Sequence, residues 1–320
     1  MSTLSDPYNS ANPDATIFTK LANDPRTKPW ADLLRRLPDL VAKLEASSSS
    51  GQSGHLVRQL SETLPTIKHL AYRLISPCNV PTSVLTHFPN VPVLEAPASL
   101  NGQQVLRTRP LYLPHLGPTY SINFDSHILE ADIIASNGTI HLIDSVPKAP
   151  DTVIKVLEDL PAASFSILHR AMEISDLFED TIQGCTVFAP VNAAFADVGV
   201  YTADDLDRSA DIESLKGLLR PQFCPNQTLY SNRYYDGKIP ESTASREEEA
   251  AATALTGSEI AFRIGVRVFE LETTLPGRGV VVEVNRYGGL IDMRVNGLAR
   301  VLSADHIASN GVVHLIDHLL

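Results

Sequence analysis

The sequence predicts an α+β fold built twice over, and three observations carry that prediction. Residues 131–144, Ala-Asp-Ile-Ile-Ala-Ser-Asn-Gly-Thr-Ile-His-Leu-Ile-Asp, recur as residues 304–317, Ala-Asp-His-Ile-Ala-Ser-Asn-Gly-Val-Val-His-Leu-Ile-Asp, with eleven of fourteen identities at an offset of 173 residues. An interval that long is a whole domain, not a solenoid repeat of about 20–50 residues. The length of 320 residues suits two domains of about 150 each. In each half a helical pattern gives way to short strands, which indicates α+β and not a parallel doubly wound sheet.

Taken in order, residues 1–13 are polar and read as a loose arm. Residues 16–45 place Ile17, Leu21, Trp30, Leu33, Leu34, Leu37, Leu40, Val41 and Leu44 at helical spacing. Pro25, Pro29 and Pro38 divide that run into short helices. Ser47–Ser50 with Gly51 and Gly54 reads as a flexible loop, and residues 55–76 as helix broken near Pro65. Strands are expected at Val105–Arg107, Leu111–Leu113 and Tyr120–Phe124, and Asn137-Gly138 marks a tight turn before a strand at Ile140–Ile143. Pro147-Lys148-Ala149-Pro150 is a short, stiff linker, giving domains at 14–148 and 151–320. The second half repeats the plan. Helices are expected at Thr152–Leu157, Phe165–Glu179 and Asp204–Leu219, and a buried strand at Thr186–Ala189. A solvated insertion follows at 241–255, then strands at Ile260–Phe269, Gly279–Val284, Leu290–Val295 and Ala299–Leu302.

Composition narrows the function classes. The chain is 43% apolar and 20% charged, as a globular protein is. A net charge of −11 argues against general affinity for nucleic acid or anionic membrane. Arg26, Lys28, Arg35 and Arg36 read as a solvated face. No apolar run reaches transmembrane length, and the N-terminus lacks the basic-then-apolar form of a secretory signal. Asn137-Gly-Thr and Asn226-Gln-Thr are glycosylation sequons. The three cysteines show no CxxC spacing, so no metal site is expected. Cys185 reads as a buried thiol, while Cys78 and Cys224 lie in comparable places of the two halves and leave an interdomain disulfide open.

Two boxes carry a family resemblance. Thr186-Val187-Phe188-Ala189-Pro190-Val191-Asn192-Ala193-Ala194-Phe195 resembles the first signature of fasciclin (FAS1) domains. Asn137–Asp144 and Asn310–Asp317 both resemble the second. The first half has no first box; the loop and helix around residues 46–64 stand in its place, so that half looks like a degenerate copy. Thr16-Ile17-Phe18 and Ser76-Pro77 are similar to fungal members. The family often carries a Tyr-His pair after the helix between the boxes. Here Gln222 stands where His would be, and in the first half Tyr72 is followed by Arg73. The resemblance implies a scaffold role for Thr186, Phe188, Pro190, Asn192, Asn137, His141, Asp144, Asn310, His314 and Asp317. It also implies a secreted or surface location, although this chain shows no signal and an intracellular location stays open.

The residues themselves offer little chemistry. His141 and His314 each precede an Asp by three, and such positions on a strand face opposite ways. Gly51-Gln52-Ser53-Gly54 is not a hydrolase elbow, and no HExxH, P-loop or Rossmann pattern occurs. Glu247–Glu249 reads as a solvated run and not a calcium loop. No cofactor is expected. Tyr230, Tyr234 and Tyr235 with Asp236 form an aromatic and polar cluster suited to a binding surface, against the reading of a packed loop. With Gln222, Tyr72 and Arg73 they are the candidate binding residues. Two functions stand. One is a non-catalytic binding protein with a protein, glycan or small-molecule partner. The other is an auxiliary protein or enzyme of fungal secondary metabolism, coupling polyketide phenols beside a laccase-type oxidase, with a pocket at or near the domain interface.

Overall fold

The computed structural model describes residues 14–46, 52–56, 64–86, 89–100, 102–114, 116–176, 184–209, 211–232, 264–287 and 290–320. The expected loop at Ser47–Ser50, His115, Tyr234, Tyr235, Asp236 and Glu247–Glu249 lie outside them. The chain forms two compact units. One holds the chain up to Ala96 with Gln103–Lys148, the other Pro97–Gly102 with Ala149–Leu320.

The first unit opens with three short helices, α1 (Ile17–Asn23), α2 (Lys28–Leu34) and α3 (Pro38–Glu45). Thr16 caps α1 by accepting from the Thr19 amide at 3.3 Å. Pro29 and Pro38 sit in the first turns of α2 and α3, where a missing N–H costs nothing. Then come β1 (Gln52–Leu56), α4 (Leu64–Leu74), β2 (Ile75–Ser76), α5 (Thr82–Leu85), β3 (Asn90–Pro92), β4 (Val105–Leu113), β5 (Gly117–Ile122), β6 (Ser126–Ala135) and β7 (Gly138–Ile143). Their sheet runs β2-β1-β7-β6-β5-β4-β3. Ile17, Leu21, Trp30, Leu34, Leu40 and Leu44 from the helices meet Leu106, Ile122, Ile133 and Ile140 from the strands in one core.

The second unit has α6 (Val153–Glu158), α7 (Ala162–Ser175), β8 (Cys185–Pro190), α8 (Ala203–Ser209), α9 (Ile212–Leu219), β9 (Phe223–Cys224), β10 (Ile264–Glu272), β11 (Gly279–Tyr287), β12 (Leu290–Val295), β13 (Ala299–Ala308) and β14 (Gly311–Ile316). Its sheet runs β10-β11-β12-β13-β14-β8-β9. Strand for strand this is the first sheet again. One helix expected over Asp204–Leu219 is two, because Asp211 starts α9 by accepting from the Ser214 amide at 3.1 Å.

Register turns the likeness into a correspondence and corrects three expectations. In the second unit β8 lies parallel to β14, with Thr186 opposite Val312 and Phe188 opposite His314. In the first, β1 lies parallel to β7, with Ser53 opposite Thr139 and His55 opposite His141. Residues 52–56, expected as loop and helix, are therefore a strand in the place of the first box. Backbone pairing kept the position while the apolar sequence that marks it was lost. Likewise Ser53 faces Ser76 as Thr186 faces Cys224, so the counterpart of Cys224 is Ser76 and not Cys78. All three cysteines are free thiols, with Cys78 exposed and the other two buried, which removes the disulfide left open by the sequence. Finally, Val105–Leu113 is one strand despite Pro110. Strand β3 covers only Asn90–Pro92, so Pro110 lies beyond it, where a ladder donor is not needed.

The Asn-Gly pair of each repeat does more than turn the chain. Asn137 Oδ1 accepts from the Ile17 amide at 2.8 Å, and its Nδ2 donates to Leu44 O and Ala46 O at 2.8 and 3.0 Å. One side chain thus joins the start of α1 to the end of α3. Asn310 Oδ1 takes the Val153 amide at the start of α6 in the same way, at 2.8 Å. Beside it, a methyl group on Gly311 would lie 2.7 Å from Cys185 Sγ and closer still to the Cys185 carbonyl oxygen. The glycine is what lets β14 and β8 approach.

Replacing Asn137 with Ala strands a buried amide and two carbonyls, so Asn137→Ala should cost about 2–4 kcal/mol. Urea denaturation checks this, and a loss below about 0.5 kcal/mol would show that the amide is dispensable.

Candidate functional site

The repeated histidines belong to one hydrogen-bond device used twice. Asp132 sits at a bulge in β6 with φ 58°, and Asp305 at a bulge in β13 with φ 62°. That left-handed backbone is uncommon outside glycine and tolerated by Asp. The Asp132 amide donates to His141 Nδ1 at 3.3 Å, and His141 Nε2 donates to the Val80 carbonyl at 2.8 Å. Asp305 N donates to His314 Nδ1 at 3.2 Å, and His314 Nε2 to Leu229 O at 2.8 Å. A carbonyl can only accept, so both rings are the neutral Nε2–H tautomer. The aspartates complete the device. Asp132 accepts the Thr82 amide at 2.8 Å and its hydroxyl; Asp305 accepts the Ser231 amide at 2.8 Å and its hydroxyl. Burial pushes His141 below its ordinary value of 6.5, against the Val80 hydrogen bond and the Asp132 charge.

The other motif residues are also engaged internally. Asp144 binds the His127 amide and ring at 2.8 Å each, and does not meet His141. Burial works to raise its carboxyl, but the His127 and Ser145 donors hold it below the ordinary value. Asp317 accepts the Arg300 amide at 2.7 Å and pairs with His318 at 2.7 Å. Thr186 donates to Gln227 O at 2.7 Å and accepts from Leu229 N at 2.8 Å. Phe188 stacks on His314 with ring centres 5.7 Å apart, Pro190 pairs opposite Ile316, and Asn192, just after β8, ties the chain to α7 by accepting from Ile167 N at 3.0 Å. Of the sequons, Asn137 is committed to the fold, whereas Asn226 is exposed.

The candidate binding residues divide between the two units. Tyr72 and Arg73 are in the first unit, Gln222 and Tyr230 in the second. Arg73 forks onto Glu95 at 2.9 and 3.3 Å, and Tyr72 lies under Lys43 and Lys68 at 5.9 and 5.8 Å. Gln222 is fully buried. With its amide oriented to satisfy both ends, it donates to Phe188 O at 3.2 Å and accepts from Leu320 N at 2.9 Å. Tyr230 is also buried, its hydroxyl has no hydrogen-bond partner among the described residues, and burial with the nearby Asp305 raises its phenol. Neither offers a surface to a partner.

The hollow that sequence reasoning missed lies within the first unit. It has a volume of about 140 Å³. Ala15, Leu21, Ile133, Ile140 and Leu142 give it apolar walls, and Lys20, Asn23, Asp24, Arg26 and Thr27 line the remainder. Arg26 binds Asp24 at 2.7 Å and Glu130 at 2.6 Å, which holds its guanidinium protonated. Thr27 donates to Leu21 O at 2.8 Å, fixing the bend between α1 and α2 that forms one wall. These residues come from a helix, a turn and two strands, so no single stretch of sequence signals them. A shallower hollow of about 400 Å³ in the second unit is lined by Ile154, Glu158, His169, Met172, Glu173 and Asp176. Among the described residues no cluster of three His, Cys, Asp or Glu could hold a metal, and no helix is long and apolar enough to cross a membrane.

Known proteins give the context. The family model described as "Fasciclin domain" matches residues 163–320. "Aurofusarin biosynthesis cluster protein S" of Gibberella zeae is 25% identical over 234 residues, covering 69% of this chain and 56% of that protein. "Transforming growth factor-beta-induced protein ig-h3" of Sus scrofa is 28% identical over 202 residues, covering 61% and 23%. "Protein sll1483" of Synechocystis is 28% identical over 175 residues, covering 54% and 76%. The chain thus spans little more than half of the first relative and under a quarter of the second. A solved FAS1 domain pair from the insect cell adhesion molecule Fasciclin I aligns with TM-score 0.41 at 14% identity, over 92% of this chain and 96% of that one.

The depressed His141 gives a pH dependence with a definite sign. The unfolded chain protonates this ring near 6.5 and the folded chain only below that, so its contribution is complete above about 6.5 and lost as pH falls. The urea midpoint should drop as pH falls below about 6.5, and His141→Gln should flatten that drop relative to the parent. An equal slope in both proteins would dismiss this ring as its source.

Proposed function

We propose that this chain, whose residues 163–320 match the fasciclin domain model, is a non-catalytic binding protein whose ligand site is the hollow of its first module. The observation that carries the reading is the fate of the repeated polar groups. Each of His141, His314, Asp132 and Asp305 is bound to its own module's backbone, at matched positions. Groups consumed in this way are unavailable for proton transfer to a substrate, since a general acid or base must reach the reacting atom. The apolar hollow with a few polar groups at its rim has the composition of a small-molecule site.

A second reading is favoured by one relative, whose name places it in an aurofusarin biosynthesis cluster. On that reading the bound molecule is a phenolic intermediate, and the protein acts beside a laccase-type oxidase to shape the outcome of coupling. A protein or glycan partner of the kind expected for adhesion belongs to the first reading.

Incubation of the purified chain with candidate phenols, alone and with a laccase, separates these. The binding reading expects no turnover without the oxidase, and saturable ligand protection against heating. A changed coupling product with the oxidase present supports the auxiliary role. Conversion of the phenols by the chain alone would refute the non-catalytic assignment.

A further inference from the structure

We infer that the first-module hollow takes a neutral, apolar molecule the size of a single ring, seated in the space that the second module fills with Leu160. The inference rests on the binding reading above and adds to it the ligand's chemistry and the origin of the space.

The duplication supplies the comparison. Asn137 and Asn310 accept from the amides of Ile17 and Val153, so α1 and α6 begin at matched positions. Four residues further on, Leu21-Ala22-Asn23-Asp24-Pro25 aligns with Leu157-Glu158-Asp159-Leu160-Pro161. Lys20 thereby corresponds to Val156, and Asp24 to Leu160. Both apolar counterparts belong to one packed core of the second module, together with Leu157 and Val313, which match Leu21 and Ile140. In the first module that leucine is missing. The carboxylate in its place is held by Arg26, whose Nε lies 3.1 and 3.0 Å from the Asp24 oxygens and whose Nη2 lies 2.7 Å from one of them. A core that loses a large apolar side chain and relaxes only in part keeps a void. The apolar walls of the hollow, Leu21, Ile133, Ile140 and Leu142, stand at that place.

Size and charge then fix the ligand. The volume of about 140 Å³ is close to the roughly 150 Å³ apolar cavities that accept benzene. The four walls are buried and aliphatic, so they give a ligand contact area and no hydrogen bond. The charges nearby balance: Lys20 and Arg26 stand against Asp24 and Glu130, and Arg26 already joins both carboxylates. No net charge is left to receive an ionic head group. A carboxylate or ammonium entering between aliphatic walls would lose its hydration without compensation. A neutral ring loses nothing of the kind and gains the burial of its apolar surface.

Methyl NMR on isoleucine-labelled protein tests this with four probes: toluene and phenol, which are neutral at pH 7, and benzoate and benzylammonium, which are not. The neutral pair should shift the Ile133 and Ile140 methyls saturably, and each ion should bind at least about tenfold more weakly. Asp24→Leu installs the residue of the second module and should abolish the toluene shifts. Ala15→Leu fills the hollow from another wall with the Arg26 pairs intact, and should do the same. The same spectra report whether each variant is folded, so either one suffices if the other is not. An ion that binds as tightly as toluene would overturn the neutral assignment and leave the binding reading standing. Toluene affinity unchanged in a folded variant would overturn the hollow as the place where the ring sits. Failure of all four probes to move either methyl would overturn it as a ligand site altogether.

Discussion

Each module is organised around one buried imidazole. Its two nitrogens connect three pieces of chain: the strand that bears it, a bulge nine residues away in the neighbouring strand, and a loop distant in sequence. The ring can do this only while neutral, because one nitrogen must accept as the other donates. The bulge aspartate then grips the same loop through its carboxylate. In the first module α5 follows that loop and buries Leu85 in the core. The asparagine at the hairpin completes the arrangement by fixing the first helix of the module. The polar residues of the repeat are thus the joints of the fold, and the apolar residues between them are its filling.

The sequence displayed this well, for a physical reason. A hydrogen-bond set that must be met by specific side chains leaves those side chains at fixed spacing, so both copies kept Asp, Asn and His at an offset of 173 residues. The first box of the second module was equally visible, since a strand buried on both faces must be a continuous apolar run. Its counterpart β1 was not. Gln52–Leu56 is paired through its backbone, and backbone pairing leaves no mark on residue type. Gln222 stands where the family's His would be, and its interior position left no mark on the sequence. Its amide is satisfied by two main-chain groups.

The hollow was invisible for a different reason. Its walls are ordinary core residues at ordinary helical and strand spacing, and what makes them a cavity is the bend held by Thr27 and the ion pairs of Arg26. Absence of packing is a property of the assembled unit, not of a segment. Arg26, expected on a solvated face, spans two carboxylates, one of them on β6.

The placement of Trp30 has a practical consequence. It is the single tryptophan of the chain and lies in the core of the first unit. The second unit has cores of its own, built without tryptophan. Indole fluorescence therefore follows the melting of one half of the protein and is blind to the other. Units with separate cores need not unfold in one step, so a transition seen in emission and a transition seen in circular dichroism would describe different events. The gap between the two curves is a direct measure of how independently the modules stand.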